Sequence, residues 1–263
     1  MSLLLNGLDQ REASTAPIGR ANPAAKLAVA SVISVALILT VDPVTAGVAL
    51  ALELAALPWC GLGPRKLFRA SWIILLGAIP AGILTLFFGV DSGSTLLGLG
   101  PVTVTDGSLT SAIAITLRIL AIGLPGVVLL ATTDPTDLAD SLSQNLRLPH
   151  RFVLSALASL RLVGLLAQEW QTLTMARRAR GLDHGPRQFA GQVFALLVIA
   201  IRRGTVLATT MEARGFGVDA PRTWARRSVF GRGDALVVLG GVAVAVLATA
   251  AGVWAGTWEL LLT

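Results

Sequence analysis

Cysteine, histidine and charge are all scarce in this chain. Cys60 is the one cysteine, so no intramolecular disulfide and no cysteine-built metal cluster can form. The two histidines, His150 and His184, stand in no His-Glu-x-x-His pattern, so no metal site and no metal cofactor is expected. A Gly-x-x-x-x-Gly-Lys-Ser/Thr phosphate loop is absent; the glycine-rich stretch from Gly93 to Gly107 has no lysine. The chain is therefore not expected to hydrolyse ATP itself. Charged residues make up only 14% of the 263, against 54% hydrophobic, and the mean hydropathy is +0.74. That is more apolar surface than a soluble domain buries, so lipid is the solvent expected for much of the chain. A net charge of +6 would suit nucleic acid or a membrane surface. Hydropathy this high speaks against nucleic acid.

What is present is a series of apolar runs long enough for transmembrane helices, which need roughly 20 residues at about 1.5 Å each. Leu27 to Thr40 and Val44 to Trp59 are separated by Val41-Asp42-Pro43, a step that favours a turn and so a tight helical hairpin. Phe68 to Val90, carrying Pro80 and Gly82, is a third span that these residues should kink, and Leu109 to Thr132, with Pro125, is a fourth. Ala235 to Leu262 is the fifth. Residues 1–26 are polar (Asp9, Arg11, Glu12, Arg20, Lys26) and show no short apolar core before a small-residue cleavage site, so a cleaved signal peptide is not expected.

Lys and Arg gather on the cytoplasmic side of membrane proteins, which orients the spans. Arg11, Arg20 and Lys26 place the N-terminus inside; Arg65, Lys66 and Arg69 do the same for the loop after the second span. The loop from Asp91 to Asp106 has two acids and no base, and is expected outside. Residues 133–234 hold 14 of the 21 basic residues and are expected inside, which leaves the C-terminus outside. The expected fold is all-α and polytopic. It has a cytoplasmic segment at 1–26, transmembrane helices at 27–132, a cytoplasmic domain of long amphipathic helices at 133–234, and a last transmembrane helix at 235–263.

Within 133–234, Pro135 to Leu146 reads as a short amphipathic helix, capped by Thr133 or Asp134 and ended by Pro149. A long helix follows from His150 to Arg180, with Phe152, Leu157, Leu160, Val163, Leu166, Trp170 and Leu173 at helical spacing and Gly181 as its stop. A second runs from Pro186 to Arg214 and stops at Gly215. Their arginines (Arg161, Arg177, Arg178, Arg202, Arg203) suit helices packed on each other beneath the membrane better than lipid-spanning ones.

Both long helices end in one tripeptide, Ala179-Arg180-Gly181 and Ala213-Arg214-Gly215, with the arginines 34 positions apart. Thr174-Met175 and Thr210-Met211 echo upstream; Leu182-Asp183 and Phe216-Gly217-Val218-Asp219 follow. An arginine there complements the helix dipole and glycine is an ordinary stop. It also projects a five-donor guanidinium fork past the helix tip, suited to an acidic or carbonyl-lined groove on another protein.

These twin tripeptides resemble those of the T component (EcfT family) of energy-coupling factor (ECF) type ABC transporters. Asn22-Pro23-Ala24-Ala25-Lys26 is similar to the family's Asn/Asp-Pro-x-x-Lys, and Thr132-Thr133-Asp134-Pro135-Thr136-Asp137-Leu138 to its step from membrane into coupling domain. Leu148-Pro149 and Ser159-Leu160-Arg161 resemble its next helix. The resemblance implies a noncatalytic scaffold that needs no cofactor. Ala179, Arg180, Gly181, Ala213, Arg214 and Gly215 would dock two ABC ATPase subunits, while apolar helix faces hold a small membrane substrate-binding subunit. The cargo it implies is a vitamin or a transition-metal ion.

Two ionisable residues fall inside spans, Glu53 and Arg118. Each lies nine residues from the outer end of its span, roughly 13 Å deep, so a structural intramembrane ion pair is expected. An ion pathway through them would make the chain an ion-coupled secondary transporter, but the evident repeat lies in the 133–234 segment rather than among the spans. A membrane-embedded enzyme would need a nucleophile, base and metal constellation that the sequence lacks.

Overall fold

A computed structural model describes residues 16, 18–40, 42–89, 94–99, 102–181, 185–216, 218, 224 and 226–257. Residues 1–15, 17, 41, 90–93, 100–101, 182–184, 217, 219–223, 225 and 258–263, with the readings above that fall on them, lie outside the described residues.

Helix α1 (Pro23–Leu39) starts where the Asn22 side chain accepts the Ala24 N–H at 3.0 Å, with proline in the first turn. The device repeats at α2 (Pro43–Ala56), where Asp42 Oδ2 accepts from the Thr45 N–H at 2.9 Å and from its hydroxyl at 2.7 Å. These two caps separate one apolar stretch into the expected hairpin. A 3-10 turn (Leu57–Cys60) leads to α3 (Pro64–Phe88). Next, α4 (Asp106–Thr132) opens with a reciprocal capping box between Thr105 and Ser108. Pro80 and Pro125 stand inside α3 and α4, which run on through them.

Between α3 and α4, read from sequence only as an outer loop, β1 (Thr95–Leu99) pairs antiparallel with β2 (Val102–Thr105). The β-branched run Val102-Thr103-Val104-Thr105 suits a strand, and it delivers Thr105 to the α4 cap. Apart from this ribbon the described elements are helical. They continue with α5 (Pro135–Gln144), α6 (His150–Ala179), α7 (Pro186–Ala213) and α8 (Arg232–Trp254).

The chain divides into two compact units. The first comprises residues 1–141 and 228–263; the second is 142–227. In the first, α4 packs against α1, α2 and α3, and α8 packs against α1 and α2. Its core is narrow: Ile33 and Leu37 of α1, Ala46 and Ala49 of α2, Ala121 of α4 and Ala248 of α8. Large apolar side chains point outward instead, Ile73 being 77% and Phe88 76% exposed. That is the arrangement of a bundle solvated by lipid, where helices gain by close backbone approach rather than by hiding apolar surface from water. A Cβ on Gly241 would lie 2.7 Å from Val29, and one on Gly123 2.6 Å from Ile74. Gly82 is pressed against Thr116, and Gly252 against Thr45 and Asp42.

At one end of this unit the start of α1 gathers three stretches of chain. Lys26 Nζ donates to the carbonyls of Gly19 (2.9 Å) and Thr132 (3.1 Å) and to the hydroxyls of Thr132 (3.0 Å) and Thr133 (3.4 Å). Asn22 donates its backbone N–H to Asp234 Oδ1 at 2.6 Å and its amide to Ser228 Oγ (2.8 Å) and the Val229 carbonyl (3.2 Å). Asp234 Oδ2 in turn accepts the Gly231 N–H that opens α8, at 2.7 Å.

By length and composition, six helices of the described residues are apolar enough to cross a membrane, and α1 is a shorter apolar one. The protein is a multi-pass membrane protein. The six include α6 and α7, which the sequence reading kept out of lipid, while α1, counted there as a span, falls among the shorter helices. Mean hydropathy in the most apolar stretches is 1.4 for α6 and 1.6 for α7, against 2.3 for α4 and 2.4 for α8. It is 1.5 for α2, so apolarity alone does not set α6 and α7 apart.

Gly241→Leu is expected to force α1 from α8 and cost about 1–3 kcal/mol, the usual penalty of overpacking. Its neighbour Gly240, with no atom within 4 Å of a Cβ, is the control. Thermal unfolding of the purified protein in mild detergent should show a lowered midpoint for Gly241→Leu and an unchanged one for Gly240→Leu.

Candidate functional site

The two Ala-Arg-Gly tripeptides fold alike. Helix α6 ends at Ala179; Arg180 follows at φ −90°, ψ 6°, and Gly181 turns left-handed at φ +68°. Helix α7 ends at Ala213; Arg214 has φ −87°, ψ 9°, and Gly215 has φ +74°. A Cβ at either glycine would meet the left-handed steric penalty, which explains the residue type. The Gly215 N–H donates to Glu212 and the Phe216 N–H to Met211, both at 2.9 Å, the paired bonds of a Schellman stop. The Gly181 N–H makes the matching bond to Arg178 at 3.0 Å. All six residues of the tripeptides are exposed.

Polar contacts join α6 to α7. Arg203 forms a salt bridge with Glu169. Gln192 Nε2 donates to Thr174 Oγ1 at 2.6 Å and to the Trp170 carbonyl at 3.3 Å. The Trp170 and Phe189 rings meet edge to face at 5.7 Å. Glu169 lies 11 residues before Arg180, and Arg203 lies 11 before Arg214. The salt bridge therefore joins equivalent positions of the repeat, and each arginine sits about 16 Å along its helix from that contact. Beside it lies an open groove of about 540 Å³ lined by Leu162, Leu165, Ile199, Val206, Leu207 and Thr210.

Sequence reading singled out the helix ends, read Arg203 only as a charge that argues against a lipid-spanning helix, and gave Glu169 and Gln192 no role. The signal was available for Glu169 and Arg203, because carrying the 34-residue register upstream from the tripeptides aligns them. Few apolar side chains on this pair of helices are covered. Val153 is the buried residue of α6, while Phe152 and Leu160 of α6 and Phe189, Phe194 and Leu197 of α7 are exposed.

Glu53 and Arg118 do not form the expected ion pair. Arg118 Nε donates to the Leu37 carbonyl at 2.8 Å, and its Nη2 is buried with no partner among the described residues. Both Glu53 oxygens are buried with no hydrogen bond to the described residues. Equal depth in the bilayer says nothing about which way each helix faces.

His150 packs edge-on against Trp224 at 5.8 Å, and His184 lies outside the described residues. Asp134 is the residue that opens α5, its Oδ1 accepting the Thr136 N–H at 2.7 Å. Among the described residues no group of three or more His, Cys, Asp or Glu side chains is placed to hold a metal ion.

Comparison with known proteins adds a family. Residues 14–223 match the CbiQ family, described as a cobalt transport protein. The chain is 29% identical over 198 residues to the energy-coupling factor transporter transmembrane protein EcfT of Limosilactobacillus fermentum, covering 70% of this chain and 74% of that one. It is 30% identical over 190 residues to the EcfT protein of Bacillus subtilis, covering 67% and 70%. A putative ABC transporter ATP-binding protein of Bifidobacterium longum is 25% identical over 195 residues, which are 69% of this chain and 25% of that protein. A match of this extent, on a helical bundle with the paired arginine ends, means that the chain belongs to the EcfT/CbiQ family of noncatalytic transmembrane coupling subunits of ECF transporters.

Proposed function

We propose that this protein is the scaffold of an ECF-type importer, transmitting ATP-driven motion of two ATPase subunits to a small membrane substrate-binding subunit. The observation that carries the reading is the pair of exposed helix ends, Arg180-Gly181 and Arg214-Gly215, alike in backbone conformation and equally far from the Glu169–Arg203 contact. Two copies of one docking end suit two copies of one kind of partner. Each arginine enters a groove on one ATPase, where its guanidinium donates to carbonyl or carboxylate oxygens. The match to part of a protein named for ATP binding supports a partnership of this kind.

In this reading residues 133–234 lie in the cytoplasm, as their 14 basic residues favour, and so does the N-terminus. Helices α1, α2, α3, α4 and α8 span the membrane, the β1–β2 ribbon lies outside, and the C-terminus ends outside. The exposed apolar faces of α6 and α7 receive the substrate-binding subunit. That subunit selects the cargo, a vitamin or a transition-metal ion, with cobalt suggested by the family's description.

Co-purification in mild detergent tests the docking. Arg180→Glu and Arg214→Glu are each expected to weaken ATPase recovery about tenfold, and the double variant to abolish it, with membrane insertion unchanged. Undiminished recovery with the double variant overturns the docking role. The helix crossing has its own test. Glu169→Arg or Arg203→Glu alone should reduce uptake severalfold, and the exchange Glu169→Arg/Arg203→Glu should restore at least half of it, measured in vesicles at equal protein.

A second reading rests on Glu53, whose buried carboxyl group, with no hydrogen bond to the described residues, is the feature an ion-coupled transporter would use. For a scaffold, Glu53→Gln should leave uptake within about twofold of the unaltered protein. Loss of uptake from a fully assembled complex would favour the ion-coupled mechanism instead.

A further inference from the structure

The polar knot at the start of α1 has a place in the chain that suits it to more than stability. Residues 142–227 form a unit of their own; the chain runs toward them from α4 through Thr132-Thr133-Asp134 and α5, and returns to α8 through Ser228 to Asp234. Both of these roots are bonded to the same five-residue stretch, Asn22 to Lys26. Lys26 holds the outgoing root at the last carbonyl of α4 and two hydroxyls. Asn22 holds the returning root at Ser228, Val229 and Asp234.

We propose that Asn22 and Lys26 are positioning residues that clasp the two roots together, so that motion of the coupling helices reaches the bundle as one displacement of both roots. This inference rests on the scaffold reading above. The bonding makes the clasp stiff. Lys26 is 7%, Asn22 8% and Asp234 9% exposed, so water has little access to replace their bonds. The Lys26 ammonium has three N–H donors and four oxygen acceptors within 3.4 Å. Burial works against its charge, which the carbonyl dipoles at the end of α4 and Asp234 and Asp137 nearby favour. Asn22 caps α1 with its Oδ1 while its N–H and amide hold the returning root; Asp234 caps α8 with one oxygen and takes Asn22 with the other. Opening the clasp would leave a buried ammonium, the buried Asn22 N–H and the second Asp234 oxygen without these partners at once. Two loosely tethered roots would let the coupling helices swing without moving the bundle, and hydrolysis would run without transport.

The test uses the full complex with its ATPases and substrate-binding subunit in proteoliposomes. Lys26→Met is expected to keep the ATPases bound and hydrolysing within twofold of the unaltered complex, while uptake per ATP falls at least fivefold. Lys26→Arg should recover at least half of the coupling. Wild-type coupling in the Lys26→Met complex overturns the proposal. A second measurement needs no change to the clasp. Spin labels at Thr136→Cys and Phe230→Cys, in a Cys60→Ala background, report the distance between the roots. That distance should stay narrow and constant between nucleotide-free and ATP-bound complex; separation on ATP binding overturns the proposal even if Lys26→Met fails to assemble. If the unaltered chain recovers no ATPases, the scaffold reading fails. If it recovers them and either clasp result goes the other way, the clasp alone fails.

Discussion

In a hydrocarbon solvent a backbone group without a partner has no water to fall back on, and much of this structure follows from that constraint. Each helix of the bundle must close its own ends. Asn22 and Asp42 do so with side-chain oxygens just before Pro23 and Pro43, and Thr105 and Ser108 do it reciprocally at α4. The C-terminal end of α4 is answered from elsewhere, by the Lys26 ammonium on the Thr132 carbonyl. A cation at a helix C-terminus is favourable in itself. Here the same bond also ties α1 to the C-terminal end of α4.

The two units are built on different physics. In the bundle, lipid already satisfies the large apolar side chains, so helices meet through Gly82, Gly123, Gly241 and Gly252 and through alanines. In the second unit, α6 and α7 meet through an ion pair, an amide and two aromatic rings, and leave apolar side chains such as Phe194 uncovered. A pair of helices with this little internal burial is suited to holding partners rather than to standing alone.

Much of this was legible from residue order. Helix positions in the 133–234 segment were readable within a residue or two, because Pro149, Gly181, Pro186 and Gly215 are strong punctuation and the apolar spacing between them is helical. The Asp42-Pro43 turn was readable for the same reason. The β1–β2 ribbon was not, since four alternating residues in a glycine-rich stretch are too short a signal to separate from a loop. The partner of Arg118 was not either. Depth follows from counting residues, whereas facing depends on how each helix is rotated against its neighbours.

Sequence by itself determined that the chain lives in a membrane, where its helices begin and end, and that two of them finish in the same arginine–glycine step. These are local properties, set by composition, by caps and by the left-handed conformation that glycine permits. Tertiary structure alone decided that Asn22 and Lys26 bind residues more than a hundred positions away, that Arg118 turns to Leu37 rather than Glu53, and that Glu169 meets Arg203. Such contacts depend on rotation and close approach of whole helices, and no short stretch of sequence carries that information.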